Sequence, residues 1–283
     1  MRAEVVRHLR CPVCALPMAI APDGGTLRCP RGHSFDVARQ GYVNLTAGRA
    51  PRGGDTAEMV AAREEFLRSG AYDFITQALV AAARATTPAG AFVVDAGAGT
   101  GHHLAAVVDA LPEAVGLALD VAKPALRRAA RAHPRCGAAL VDTWARWPLA
   151  DGAASLLLNV FAPRNGGEFR RVLRDDGTLL VVTPAEDHLR ELIGPLGMLR
   201  VDPEKPARVT RSLAGHFTAV RVDEHRHTLR LSHAQVRALV AMGPSAWHTT
   251  PDRLTQAIAA LPDPVTVTAA VTLGVYRPAP GRP

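Results

Sequence analysis

The sequence has few cysteines, almost no lysine and no long apolar run. Four cysteines in 283 residues are too few for a scaffold stabilised by disulfides. No apolar stretch approaches the ~20 residues that a membrane-spanning helix needs. The opening segment MRAEVVRHLR also lacks an apolar signal region, so we expect a cytoplasmic globular protein without a membrane partner.

Positive charge is carried almost entirely by arginine. Lysine and arginine number 33 against 26 acidic residues, giving a net charge of +7, and the only lysines are Lys123 and Lys205. Guanidinium groups suit phosphate oxygens, so arginine-rich regions are expected to contact an anionic partner. A solvated basic surface is the alternative. The first 40 residues alone contain six arginines: Arg2, Arg7, Arg10, Arg28, Arg31 and Arg39.

Three of the four cysteines lie close to the amino terminus in a metal-binding pattern. Cys11 and Cys14 form a C-x2-C pair, and Cys29 and His33 follow as C-x3-H. Zinc prefers four such ligands at tetrahedral corners. The turn sequence Asp23-Gly24-Gly25 predicts a hairpin that brings the second pair beside the first. The spacing therefore predicts a structural zinc site, although a disulfide or buried apolar cysteines are alternatives.

The other residues of this region are read more simply. Gly32 is expected to take a positive φ in the second ligand turn. Cys136, alone and far downstream, is expected to be an inert core residue. A structural zinc in so small a module contributes on the order of 10 kcal/mol of folding free energy, so the module should unfold without metal.

From about residue 89 onward, short apolar strands alternate with helical segments. This order predicts a doubly wound α/β fold with a parallel sheet. Two helices are expected in residues 41–88, and an antiparallel strand pair, 217–232 with 265–277, is expected at one edge. We divide the chain into a metal module (1–40), a linker with a helical hairpin (41–88) and the main domain (89–283). The expected strands are 91–95, 114–120, 136–142, 154–161 and 177–184, with helices around 101–111, 123–132, 165–173 and 185–199.

The first strand of the main domain leads into the loop Asp95-Ala-Gly97-Ala-Gly99-Thr-Gly101. The dinucleotide pattern G-x-G-x-x-G/A is broken by His102, which is too large for that position. The D-x-G-x-G-x-G form resembles the first motif of class I S-adenosylmethionine-dependent methyltransferases. On that resemblance, Asp95 organises the loop and the three glycines line the methionine portion of the cofactor.

Further polar residues follow the next strands. Asp120 ends the second strand, where a carboxylate accepts ribose hydroxyls. Asp142 ends the third strand and, as in that superfamily, is placed to reach the adenine amino group. The fourth strand delivers Asn159 and Phe161, which we expect to orient and pack against a target base. Each of these residues taken alone could instead be a helix cap or part of a strand-to-loop transition.

Over nearly its whole length the chain resembles one family, the 23S rRNA (guanine-N1)-methyltransferases, including the macrolide-resistance enzymes of the tylosin and mycinamicin type. The segments that carry the resemblance are CPVC…CPRGH, FDVARQGYVNL (35–45), MVAAREEFLRSGAY (59–72), VVDAGAGTGHH, NVFAPRN, TPAEDHL and AMGPSAWH. The resemblance implies S-adenosylmethionine and Zn²⁺ as cofactors. It implies zinc ligands Cys11, Cys14, Cys29 and His33, and cofactor contacts from Tyr72, Gly101, His102, Asp120 and His188.

The resemblance also implies a partner and a reaction. The target is expected in a hairpin loop of 23S rRNA near the peptide exit tunnel, and a homodimer would let two basic modules clasp one RNA. Guanine N1 must lose its proton during methyl transfer, and His248 and Asp142 are candidates for the base. Trp247 and His248 are otherwise expected to be core residues. The alternatives are a small-molecule methyltransferase of an antibiotic pathway, a DNA methyltransferase, and a nonenzymatic zinc-dependent RNA-binding protein.

Overall fold

The computed structural model describes residues 1–48, 53–243 and 251–280. The chain begins with a short helix, α1 (Ala3–Val6), and an antiparallel sheet of three strands, β1 (Ala19–Ile20), β2 (Thr26–Arg28) and β3 (Ser34–Asp36). The turn between β1 and β2 is the expected hairpin. The Gly25 amide donates a 2.9 Å hydrogen bond to the Asp23 carboxylate, and Gly24 has a φ of +68°. Gly32 also takes its expected positive φ, +83°.

The segment between the small sheet and the main domain contains one strand that the sequence analysis did not anticipate. This strand, β4 (Tyr42–Asn44), pairs in parallel with a strand of the main sheet and becomes its outer edge. Two helices follow, α2 (Ala57–Arg68) and α3 (Asp73–Thr86), as expected. Thr56 is the N-cap of α2, and its hydroxyl accepts a 3.2 Å hydrogen bond from the Met59 amide.

The main domain confirms the doubly wound α/β fold. Its five central strands are parallel and almost entirely buried, as expected for strands covered by helices on both faces. The helices between them begin and end within a few residues of the predicted bounds. The elements are β5 (Phe92–Ala96), α4 (His102–Ala110), β6 (Val115–Asp120), α5 (Lys123–Ala132), β7 (Cys136–Leu140), β8 (Ala154–Val160), α6 (Gly166–Val172) and β9 (Leu173–Pro184).

The carboxyl-terminal part adds an antiparallel edge, also as expected. The remaining elements are α7 (Arg190–Leu196), α8 (Lys205–Leu213), β10 (Phe217–Leu231), α9 (His233–Ala241), α10 (Pro251–Ala259) and β11 (Val265–Pro278). Strand β11 pairs antiparallel with both β9 and β10. The order of the eight-stranded sheet is β10-β11-β9-β8-β5-β6-β7-β4.

The predicted helix over 185–199 is shorter than expected, and α8 was not predicted. Residues 185–189 instead form a turn tied to β11, because the amides of Ala185 and Leu189 donate to Ala270 and Thr268 carbonyls. Leu189 has a φ of +58°, which is incompatible with helix, so α7 begins only at Arg190.

Both faces of the sheet are covered, and the amino-terminal module covers part of one of them. Helices α2 to α5 pack on the first face, whereas α6, α8 and the module pack on the second. Leu9 is fully buried, and its neighbour Arg10 donates from its amide to the Pro148 carbonyl at 2.9 Å. His8 stacks on Phe92 of β5 at 4.1 Å between ring centroids. The module therefore shares a core with the main domain.

Candidate active site and metal centre

The amino-terminal module gathers the four predicted metal ligands at one point. The ligand atoms of Cys11, Cys14, Cys29 and His33 all lie within 4.8 Å of one another. The Cys14 and Cys29 sulfurs are 3.7 Å apart, and Nδ1 of His33 lies 3.5 Å from the Cys11 sulfur and 3.4 Å from that of Cys29. Tetrahedral zinc, with bonds of about 2.3 Å to sulfur and about 2.0 Å to nitrogen, spaces its ligand atoms by about 3.5–3.8 Å. The donor set and its dimensions fit Zn²⁺.

The protonation of one ligand, Cys29, agrees with this assignment. Burial raises the pKa of the Cys29 thiol, but hydrogen bonds from the Arg31 backbone, Cys14 and His33 outweigh it and lower the pKa to about 6. A thiolate is the form that binds zinc. For Cys14, the Leu16 backbone lowers the pKa, but burial and the neighbouring thiols of Cys11 and Cys29 outweigh it and raise the pKa above its ordinary value. Cys136 lies apart, buried in the main core, and burial raises its pKa to about 12, as expected for an inert residue.

A cavity of about 740 Å³ opens at the carboxyl ends of the parallel strands, between the glycine loop, α2 and the segment that follows α7. Ligands of open α/β sheets bind at this edge. Nine of the residues predicted for the site line the cavity: Tyr72, Asp95, Gly97, Gly99, His102, Asp120, Asp142, Phe161 and His188. Gly101 and Asn159 are not part of the lining.

The three glycines of the loop have different tasks. All have positive φ: +79° at Gly97, +55° at Gly99 and +77° at Gly101. A Cβ at Gly97 would lie 2.5 Å from Cβ of Ala162, so this position is closed to any side chain. A Cβ at Gly101 would lie 3.0 Å from Cα of Ala129 in α5. Gly101 therefore permits close packing of α4 on α5, whereas Gly97 and Gly99 present backbone to the cavity.

Asp120 connects the glycine loop to the next strand. Its two carboxylate oxygens accept hydrogen bonds of 2.8 Å, one from the Gly99 amide and one from the Ala122 amide. Burial raises the pKa of Asp120, with these two bonds opposing the change. Each oxygen keeps a lone pair for a further donor, which suits a ribose diol. Asp142 lies beside it in the lining and accepts from the Trp144 amide at 2.9 Å.

Asp95 is the clearest sign that the cavity is built for a ligand with a hydrogen-bond donor. The residue is 2% exposed, and its Oδ1 atom has no hydrogen-bond partner. Burial, helped by the charge of Asp120, raises the pKa of Asp95 to about 8. A buried acceptor without a partner is costly unless a ligand supplies the donor. S-adenosylmethionine carries an ammonium group, a ribose diol and an exocyclic amine, and the carboxylates of Asp95, Asp120 and Asp142 fit these three groups.

Tyr72 and His188, which both line the cavity, form a hydrogen-bonded pair. The Ala270 amide donates to Nδ1 of His188 at 3.2 Å, and burial lowers the pKa of His188 to about 4. The neutral ring therefore carries its proton on Nε2, which lies 3.0 Å from the Tyr72 hydroxyl. Since Tyr72 accepts this proton, its own hydroxyl hydrogen is free to donate to a ligand in the cavity.

The two predicted base-contacting residues have different environments. Asn159 is fully buried, and its amide nitrogen donates to the carbonyls of Ala96 (3.1 Å) and Pro163 (2.9 Å). It ties the loop after β8 to the end of β5. Phe161 is 43% exposed at the cavity and has a φ of +51°. A phenylalanine held in that strained region points to a functional position for the ring.

Trp144 and Arg63 are among the lining residues that the sequence analysis did not name for the site. Trp144 is 65% exposed at the cavity, where so large an apolar surface is unusual without a ligand. Arg63 of α2 bonds to the Met242 carbonyl at 2.9 Å and to Asp55, and it lies within 3.4 Å of the Cβ position of Gly99. Both stand beside recognised motifs, Trp144 two residues after Asp142 and Arg63 within MVAAREEFLRSGAY. Their positions next to these motifs were the only features of the sequence that could have indicated a role for them.

Two predicted residues, Trp247 and His248, lie outside the described residues. In the part of the chain that the structure describes, no helix is long and apolar enough to span a membrane.

Comparison with solved structures supports the fold. The YcgJ protein of Bacillus subtilis matches with a TM-score of 0.51 at 16% identity, covering 72% of this chain and 99% of that one. A Bacillus halodurans protein described as a methyltransferase matches with a TM-score of 0.50 at 14% identity, covering 70% and 97%. The main domain has the class I methyltransferase fold.

Sequence comparison extends over both parts of the chain. Residues 9–47 match a zinc-ribbon family described as "RlmA, N-terminal". The 23S rRNA (guanine(748)-N(1))-methyltransferase of Streptomyces fradiae is 54% identical, covering 99% of this chain and all of that protein. A Micromonospora griseorubida protein named for guanine-N1 methylation of 23S rRNA is 61% identical, covering 98% and 100%. With a zinc ribbon, a cofactor cavity of this chemistry and full-length similarity, the chain belongs to the 23S rRNA (guanine-N1)-methyltransferase family.

Proposed function

We propose that this chain transfers a methyl group from S-adenosylmethionine to N1 of a guanine in 23S rRNA. One observation supports this most strongly: a single cavity joins buried carboxylates to exposed aromatic rings. Asp95 and Asp120 lie beside the glycine loop, and Phe161 and Trp144 are the exposed aromatics of the lining. The first pair suits the cofactor, and the second suits a planar base.

The chemistry requires little of the protein beyond alignment. When bound, S-adenosylmethionine supplies an electrophilic methyl group on a sulfonium sulfur. Asp95 and the Tyr72 hydroxyl would bind the methionine portion, Asp120 the ribose and Asp142 the adenine amine. Phe161 would pack on the target base, while Asn159 fixes the loop that carries Phe161. Holding the two reactants in line accounts for most of the rate.

Guanine N1 carries a proton that must leave at transfer, and His188, although its ring lies 6.0 Å from that of Phe161, is not suited to accept it. His188 has Nδ1 occupied by the Ala270 amide and a pKa lowered to about 4 by burial. It is too weak a base at neutral pH. Of the two base candidates named from the sequence, His248 lies outside the described residues and Asp142 is assigned to the adenine amine, so we name no described residue as the base.

The choice of RNA substrate is supported by the relatives' names and by the basic zinc ribbon. We propose an unpaired loop as the target, because N1 lies on the pairing edge and is reachable only in an unpaired base. The resemblance to the family implies that this is a hairpin loop near the peptide exit tunnel. A methyl group there would disturb macrolide binding, which makes the enzyme a resistance determinant. We propose that it acts in the cytoplasm, with the ribosome.

We propose that three parts of the chain have different functions. Residues 1–40 recognise RNA, residues 41–88 close over the cofactor, and residues 89–283 carry out methyl transfer. A homodimer would let two zinc ribbons grip one RNA. Light scattering of the zinc-loaded protein with and without RNA tests the dimer, and a monomer in both states would contradict it.

A panel of acceptors tests the proposed function. The zinc-loaded enzyme is incubated with tritiated S-adenosylmethionine and naked 23S rRNA, intact ribosomes, DNA or macrolides. We expect label in 23S rRNA and a primer-extension stop at the modified guanine, because the methyl group blocks pairing. Label in a macrolide would favour the small-molecule alternative, label in DNA the DNA methyltransferase alternative, and binding of RNA without labelling the nonenzymatic alternative.

A further inference from the structure

Two half-buried cations, Arg164 and Lys205, lie beside the cavity. Arg164 follows β8 on the same loop as Phe161, and Lys205 is the first residue of α8 and lines the cavity. Arg164 donates from Nη1 to the Ala162 carbonyl at 3.2 Å, but its buried Nε atom has no partner. Over residues 1–48, 53–243 and 251–280, neither cation forms an ion pair.

Of the three neighbouring cations Arg164, Lys205 and Arg208, only the first two lack an ion pair among the described residues. Arg208, one turn along α8, is paired with Asp202. Burial lowers the pKa of Lys205, and the nearby charge of Arg164 lowers it further. Burial also lowers the pKa of Arg164, with a contribution from Arg208. Partly desolvated like charges without counterions are unfavourable, so such a pair indicates a site for an anion.

The position of the pair indicates which anion. The loop that presents Phe161 to the cavity also carries Arg164 three residues later, and Asn165 links this loop to the Trp144 backbone through a 3.2 Å hydrogen bond. A base that packs on Phe161 would have its own backbone close to this loop. The guanidinium fork and the point charge of an ammonium are complementary ways to bind one phosphate.

Building on the proposed function, we propose that Arg164 and Lys205 form a phosphate-binding site that grips the RNA backbone beside the target guanosine. The site orients the flipped nucleotide so that its base meets the methyl group. It is separate from the basic surface of the zinc ribbon, which contacts RNA farther from the target. The two cations are positioning residues that act on the substrate, with no part in binding the cofactor.

The first test compares Lys205→Gln, Arg164→Gln and Arg164→Lys with Arg211→Gln. Arg211 is an exposed cation of α8 outside the cavity lining. Each glutamine variant should lower kcat/KM for 23S rRNA on the order of tenfold, as loss of a charged hydrogen bond does. Each should also reduce the slope of log affinity against log salt by about 1. Arg164→Lys should regain part of the activity, and Arg211→Gln should stay within twofold of wild type.

Calorimetric affinity for S-adenosylmethionine and the thermal midpoint serve as controls for folding. Both should be unchanged in every variant. Weaker cofactor binding with an unaltered salt slope would overturn the proposal and assign the cations to the cofactor carboxylate. Unaltered kcat/KM and salt slope would overturn it too. A wild-type enzyme that fails to methylate rRNA would refute the proposed function instead, so the two failures are distinguishable.

The second test removes the charge from the RNA. Hairpins carrying the mapped guanine are made with single methylphosphonate linkages at each of the nearest phosphates. One such linkage should weaken methylation by wild type on the order of tenfold and have no further effect on Lys205→Gln, because both changes break the same contact. If every linkage gives multiplicative losses with Lys205→Gln, the proposed contact does not exist.

Discussion

At the residue scale, the polar atoms of the cavity are of two kinds. Some have no hydrogen-bond partner in the protein, and others are already hydrogen-bonded to it. Asp95 has a buried oxygen without a donor, whereas both oxygens of Asp120 are engaged by backbone amides. His188 is locked in one tautomer by Ala270 and so directs the Tyr72 hydroxyl into the cavity. These arrangements prepare the site before the ligand arrives and reduce the ordering that binding must impose.

The stability of the free protein should depend on Asp95. Its pKa is about 8 in the folded protein and near 3.8 in the unfolded chain, so the folded state binds the extra proton between these values. The contribution of Asp95 to the free energy of unfolding is therefore fully present below pH 4. It is lost as the pH rises towards 8, by at most about 1.4 kcal/mol per pH unit.

Asp95→Asn should remove this dependence. The unfolding free energies of variant and wild type are measured in urea at pH 5, 7 and 9. The variant should become more stable relative to wild type as the pH rises to 8, and the difference should then stay constant. The exposed Asp175→Asn is the control, since its partner Arg170 keeps its charge over this range, and it should show a constant difference. A constant difference for Asp95→Asn as well would contradict the assigned burial.

Asp120→Ala should abolish cofactor binding. The substitution removes the ribose acceptor and also releases the Gly99 and Ala122 amides, so the glycine loop loses its anchor. We expect affinity for S-adenosylmethionine in calorimetry to fall more than a hundredfold, since several charged hydrogen bonds are lost together. Near-normal affinity would exclude Asp120 from the cofactor site.

At the element scale, the pattern of apolar residues in the sequence was sufficient to predict the large helices and strands but not the small ones. The strands of the main domain were predictable because each is a short apolar run between helical segments. The three-residue β4 is too short to show any period, and its place depends on pairing with β7. Helix α8 begins with Lys-Pro and is mostly polar, so its helical character depends on packing of Val209 and Leu213.

The candidate site was predictable to a similar degree. The glycine loop, Asp120 and the zinc ligands follow from residue type and spacing. The roles of Asp95 and Asp142, like those of Tyr72 and His188, required a resemblance to a family. Arg63 and Trp144 have no pattern of their own, because their role comes from tertiary contacts with Gly99 and the cavity. The glycine motif also gave no indication that Gly101 permits close packing of α4 on α5 and does not line the cavity.

Gly101→Ala should destabilise the packing of α4 on α5. The methyl group would lie 3.0 Å from Cα of Ala129, in addition to the strain of a positive φ. Gly90→Ala is a matched control, since Gly90 has a φ of +69° and open space around it. We expect a loss of about 1–2 kcal/mol at Gly90 from backbone strain alone and about 2–4 kcal/mol at Gly101 in urea unfolding. Equal losses would contradict the packing role.

At the scale of the whole molecule, the zinc ribbon is part of the core of the enzyme. Leu9 and Leu27 are buried with residues of the main sheet, and His8 stacks on Phe92. Zinc binding therefore stabilises the catalytic domain as well as the ribbon. The same contact fixes the basic ribbon relative to the cavity, so RNA held by the ribbon, as we propose, would be aligned with the cavity.

Removal of zinc should therefore affect the whole protein. Chelation, or Cys14→Ser, should lower the thermal midpoint of the main domain and weaken RNA binding. Cys136→Ala is the control, because it removes a buried cysteine that binds no metal, and zinc content should stay at one ion per chain. A main domain that melts at the same temperature with and without zinc would show that the shared core contributes little.

The most direct test of the account is mass-spectrometric mapping of rRNA methylated by the purified enzyme. The account predicts one added methyl group per 23S rRNA, on N1 of a guanine in an unpaired loop, and its loss in Asp120→Ala. A methyl group on a ribose or on another base, or no transfer from S-adenosylmethionine at all, would contradict it.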